Sequence, residues 1–108
     1  MVKKRISKKI INSINAFVKD IETDNIPVKQ VYLFGSYAKG TQHRWSDVDV
    51  CIISAKFKQP WQALQYLWQK RPKNLDPMIE PVGFCPKDFS VITSSLVAEI
   101  KQNGVRIV

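Results

Sequence analysis

At 108 residues the chain has room for one domain, residues 1–108, and its 44% hydrophobic and 24% charged content excludes an intrinsically disordered protein. No apolar run approaches the ~20 residues of a membrane-spanning helix, and two cysteines, Cys51 and Cys85, are too few for a disulfide scaffold or a zinc cluster. A formal net charge of +8, from 17 Lys and Arg against 9 Asp and Glu, points to anionic partners: nucleotides, nucleic acid or an acidic protein.

Lys3, Lys4, Arg5, Lys8 and Lys9 open the chain, and no acidic residue precedes Asp20. The run reads as a solvated helix start, with a patch for a phosphate-rich or acidic partner as the alternative. Asn12, Ser13 and Asn15 interrupt the apolar stretch that follows, which argues against a signal peptide. With Cys51 and Cys85 in apolar surroundings, the expected compartment is the reducing cytoplasm. Ile10, Ile11, Ile14, Phe17, Val18 and Ile21 recur at helical spacing and predict an amphipathic helix over 7–22. Asp24, Asn25 and Pro27 break it, and 28–34 reads as a strand rich in β-branched and aromatic residues. Gly35-Ser36 ends that strand, 37–39 forms a helical turn, and a polar loop leads to a second strand at 47–53. Pro60 starts a helix whose core face is expected to carry Trp61, Leu64, Leu67 and Trp68. A third strand is expected at 78–84, where Pro81 requires an edge position or a bulge. Thr93, Ser94 and Ser95 introduce a last helix with Leu96, Val97 and Ile100 inward, Gly104 reads as its C′ residue, and 105–108 adds a short strand. The order predicts an α/β fold: a small mixed sheet with helices packed on one face.

The informative segment is Gly35-Ser36-Tyr37-Ala38-Lys39-Gly40, followed by Ser46-Asp47-Val48-Asp49. A strand that ends in Gly-Ser and turns into a helix presents backbone N–H groups and a hydroxyl to an anion; Gly35 lets the backbone approach a phosphate and Ser36 donates to it. Asp47 and Asp49 are two apart on a strand, so both project from one face with Cα atoms about 6.5–7 Å apart. Carboxylates so close, partly shielded from water, repel, and Mg²⁺ is the economical counter-ion because it leaves sites open for triphosphate oxygens. Val48, Val50 and Ile52 alternate with the aspartates, which places the carboxylates on a face the helices are not expected to cover. Asp47 lies eleven positions after Ser36, enough for a short helix and a return loop, so the turn and the acidic pair can face one cleft.

Gly35-Ser36-x-x-x-Gly40 followed by Ser46-Asp47-x-Asp49 resembles the signature of the DNA polymerase beta nucleotidyltransferase superfamily, and the whole chain resembles its small stand-alone members, the minimal nucleotidyltransferases. The resemblance implies a third carboxylate on a later strand. Asp76 and Glu80 compete for that role, and Glu80 is chosen because it lies inside the strand, ahead of Pro86-Lys87-Asp88-Phe89. It further implies two Mg²⁺ ions on Asp47, Asp49 and Glu80, with ATP as substrate and its phosphates on Gly35 and Ser36. Lys39 and Arg44 are cations near this loop that can assist, with a solvated surface charge as the alternative for each. The expected reaction is nucleotidyl transfer to a hydroxyl acceptor with release of pyrophosphate. The implied acceptor lies on a small helical HEPN-type toxin, which makes this chain antitoxin-like. A catalytically weak binding subunit is the alternative reading, with a basic nucleic-acid-binding module behind it; a homo-oligomer is compatible with either. His43 has no ligand or nucleophile partner in the sequence, and a base-stacking role for Trp61, Tyr66 and Trp68 ranks below a core role for the tryptophans.

Overall fold

The computed structural model describes residues 6–91 and 93–108. The basic residues Lys3, Lys4 and Arg5 lie outside them. Helix α1, Lys8–Glu22, starts where the Ser7 hydroxyl accepts from the Ile10 amide at 3.2 Å, and it buries Ile10, Ile14, Phe17, Val18 and Ile21. Asn25 then takes a positive φ of 61°, and the chain reverses into β1, Gln30–Phe34. A single helical turn, α2 (Ser36–Lys39), and the 40–47 loop return it to β2, Val48–Ile53. The remaining elements are α3 (Pro60–Lys70), β3 (Ile79–Phe84), α4 (Pro86–Val91), α5 (Ser95–Asn103) and β4 (Val105–Arg106).

The strands form one sheet in the order β3-β2-β1-β4. β1 runs antiparallel to both β2 and β4, whereas β2 and β3 are parallel because α3 crosses between them. Pro81 sits on the edge strand, as its missing N–H demands. On one face Val31, Leu33, Val48, Val50 and Ile52 pack against α1 and against Ala63 and Leu67 of α3. The mixed sheet is as the sequence predicts, but its helices occupy both faces rather than one. Cys51, Ile53, Phe34 and Phe84 point to the second face, where Val97 and Ile100 of α5 and Phe89 of α4 cover them. The α4 part of that cover was not legible, because α4 is six residues long and carries no periodic apolar pattern.

Expectations for two helices and for Gly104 need correction. Trp61 is 59% exposed, with Leu64 and Trp68 also at the surface; of the expected face only Leu67 is buried, and Ala63 joins it. The helix is docked by Gly83 of β3: a Cβ there would lie 2.9 Å from both Leu67 Cδ1 and Phe57 Cδ2, so the close approach selects the small-residue side of α3. Leu96 is likewise exposed, with Val97 and Ile100 inward. Gly104 is in extended backbone, at φ −67°, and not the left-handed conformation of a C′ glycine. Glycine is needed there because a Cβ would collide with the Ile100 carbonyl oxygen.

Candidate active site

The site forms where β1 ends beside the start of β2. Phe34 pairs with Asp49, so the next residue, Gly35, lies against the Asp49 side chain. Gly35 has a φ of 72° and a ψ of −152°, a conformation that L side chains rarely adopt. A Cβ on Gly35 would also overlap the Asp49 carboxylate and lie 3.1 Å from its Cγ. Glycine is thus required twice, by the backbone and by the acid it touches. From this turn the Gly35 carbonyl accepts from the Ala38 and Lys39 amides, each at 3.1 Å, which closes α2 and leaves Ser36 at its first position.

Asp49 pairs in register with Glu80 across the parallel β2–β3 ladder, and Asp47 lies just ahead of β2. Glu80 lies near enough to both aspartates for the three carboxyls to feel one another's charge. Burial pushes the Glu80 carboxyl above its ordinary range, and hydrogen bonding and repulsion from Asp47 and Asp49 push the same way. Asp49 is raised too, mainly by burial and partly by Asp47, while the hydrogen bond from Glu80 opposes the shift. Asp76 is exposed in the loop ahead of β3, outside the register that sets Glu80 beside Asp49.

The cluster offers three hard oxygen-bearing groups, and the raised proton affinity of Asp49 and Glu80 marks negative charge short of a counter-ion, which suits Mg²⁺ in kind. Among the described residues no group of three or more His, Cys, Asp or Glu side chains is arranged to hold a metal ion. A cation there would require these side chains to reorient.

Not every expected residue converges. Lys39 Nζ lies 3.1 Å from Glu99 Oε2 of α5, and the Arg44 guanidinium lies 5.1 Å from the centroid of the exposed Trp45 ring. His43 braces the loop: its amide donates to Ser46 Oγ at 3.0 Å and its Nδ1 accepts from the Trp45 amide at 3.2 Å. Tyr66 donates its hydroxyl to Asp24, in the turn after α1, which accounts for it structurally. Glu99 escaped the sequence reading, since an acid on a distant helix carries no signal of which lysine it meets.

The nucleotidyltransferase domain family matches residues 11–101, a span that contains the Gly35 turn, both aspartates and Glu80. The chain belongs to this family. The nucleotidyltransferase is 31% identical over 101 residues to a "putative protein adenylyltransferase" of Methanocaldococcus jannaschii, covering 91% of this chain and 98% of that one. It is 61% identical to the protein adenylyltransferase MntA of Shewanella oneidensis over 33 residues, 30% of this chain and 24% of MntA. Its fold superposes with a TM-score of 0.65 at 30% identity on a chain from a crystal structure of a toxin–antitoxin with AMP-PNP, covering 91% of this chain and 72% of that one.

Proposed function

We propose that this nucleotidyltransferase transfers AMP from ATP to a hydroxyl side chain of a partner protein, releasing pyrophosphate. The observation that carries the reading is the contact of the Gly35 turn with Asp49, itself in register with Glu80. A phosphate-binding turn and a carboxylate cluster have no structural reason to touch, because the contact buries negative charge. They have a chemical one if a metal-bound triphosphate lies across both. The relatives named for protein adenylyltransfer, and the toxin–antitoxin structure with an ATP analogue, support the choice of nucleotide and acceptor.

Asp47, Asp49 and Glu80 would hold Mg²⁺, two ions in the reading the family implies. When bound, the metal neutralises the triphosphate and lowers the pKa of the acceptor hydroxyl. The Gly35 turn and the Ser36 hydroxyl orient the β- and γ-phosphates. Lys39 and Arg44 join them on exchanging Glu99 and Trp45 for phosphate oxygens. A carboxylate oxygen of Glu80 takes the proton of the acceptor hydroxyl, whose oxygen bonds to the α-phosphorus. The bond from the α-phosphorus to the bridging oxygen breaks, and that oxygen leaves in pyrophosphate.

The proposed site stands at the end of a sheet, and near-attack placement of a hydroxyl there needs a second surface. We assign that surface to a helical HEPN-type toxin, which makes this chain its antitoxin, working in the cytoplasm where Cys51 and Cys85 stay free. The test uses ATP labelled at the α- or the γ-phosphate with the co-purified partner as acceptor. Label from the α position with pyrophosphate released is expected. Label from the γ position alone would mean a kinase-like reaction and defeat the proposal, and label from neither would leave a binding-only antitoxin.

A further inference from the structure

We propose that Trp68 and Arg71, at the end of α3, are positioning residues for the Glu80 carboxylate. The inference rests on placing Glu80 in the reactive cluster. β3 is the last strand of the sheet, so β2 holds only its inner side. On the outer side Trp68 Nε1 donates to the Pro81 carbonyl at 3.0 Å, and Arg71 Nη1 donates to the Ile79 carbonyl at 2.9 Å. These carbonyls flank Glu80 in sequence. The Ile79 carbonyl belongs to the peptide plane leading into Glu80, and the Pro81 carbonyl to the plane leading out of Pro81, whose ring fixes φ near −65°. With both planes pinned, the backbone between them retains few rotations, and the Glu80 Cα–Cβ bond is held toward Asp49.

The two donors are themselves locked. The Arg71 guanidinium lies 3.8 Å from the Trp68 ring centroid, and Lys73 Nζ donates to the Trp68 carbonyl at 2.7 Å. Arg71 Nε is buried without a hydrogen-bond partner, so the guanidinium keeps its place on Ile79 although one of its own donors is left without an acceptor. Water would satisfy an edge carbonyl equally well, but it would not fix a direction. Outer-shell groups that orient a ligand are typically worth ten- to a hundredfold in metal affinity.

The test reads Mn²⁺ affinity by electron paramagnetic resonance on the intact chain with a non-hydrolysable ATP analogue. Trp68→Phe keeps a ring beneath Arg71 and deletes one donor. Arg71→Met deletes the other, and Arg71→Lys restores a donor there. Trp68→Phe and Arg71→Met are expected to weaken Mn²⁺ about tenfold, and Arg71→Lys to recover most of it. Affinity for the analogue in EDTA should not change, nor should Mn²⁺ affinity in Trp61→Phe, a control on the exposed side of α3. Should Arg71→Met fail to fold, Trp68→Phe carries the test alone. Wild-type Mn²⁺ affinity in Trp68→Phe, together with a loss in Glu80→Gln, overturns the inference and leaves Glu80 in the site. Wild-type affinity in Glu80→Gln removes Glu80 from the site, and the inference falls with it.

Discussion

Gly35 carries more of the proposed chemistry than its lack of a side chain suggests. Its positive φ and its contact with Asp49 are independent demands, so alanine there is strained in the backbone and displaces the acid. Gly35→Ala is expected to lose roughly 1–3 kcal/mol of stability, read by urea denaturation, and to lose Mg²⁺–ATP binding in a calorimetric titration. Full binding in a folded Gly35→Ala protein would show that this turn does not hold phosphate. A second residue-scale outcome concerns the thiols. Burial pushes Cys51 up to about 12, so at neutral pH it stays a protonated core group, whereas Cys85 is partly exposed. Mass spectrometry after iodoacetamide treatment should find Cys85 modified well before Cys51; the reverse order would contradict the packing of the second face.

At the scale of elements, α3 shows how a correct helix can be turned the wrong way. Its apolar residues are numerous enough to define more than one face, and spacing alone favoured the one with two tryptophans. The contact at Gly83 selects Ala63 and Leu67, and Trp68 is drawn over the strand edge to reach the Pro81 carbonyl. Leu67→Ala should therefore cost about 2–5 kcal/mol, and Trp61→Ala no more than about 0.5 kcal/mol, in paired denaturant titrations. Comparable losses would mean that Trp61 is buried in solution.

For the molecule as a whole, the carboxylate cluster is a local excess of negative charge on a chain of net charge +8. Burial raises Asp49 and Glu80 in the folded state, so the native protein holds protons that the unfolded chain releases. Stability contributed by a raised acid is present at low pH and is lost as pH climbs from the ordinary carboxylate range through the raised values. In EDTA the Tm should therefore fall less steeply, or not at all, with rising pH in Asp47→Asn/Asp49→Asn than in the parent. At neutral pH the double variant should melt at a similar or higher temperature. The same variant should lose the Tm increase that Mg²⁺–ATP gives the parent. Retention of that increase would remove the aspartates from the site.

Much of this protein follows from local rules. The period of Ile10, Ile14, Phe17 and Ile21 fixes α1, the β-branched runs fix β1 and β2, and Pro81 places β3 at an edge. The Gly-Ser turn and the Asp-x-Asp strand were legible as chemistry because each acts through a spacing of a few residues. What lay beyond the sequence is what depends on distance in space: the meeting of Gly35 with Asp49, the register of Asp49 on Glu80, the diversion of Lys39 to Glu99, and the bracket that Trp68 and Arg71 place around Glu80. Periodicity states how far apart side chains stand along one element. Which face of that element is buried, and which charge meets which, is decided only when a second element packs against it, because contact energies depend on the partner's shape and charge.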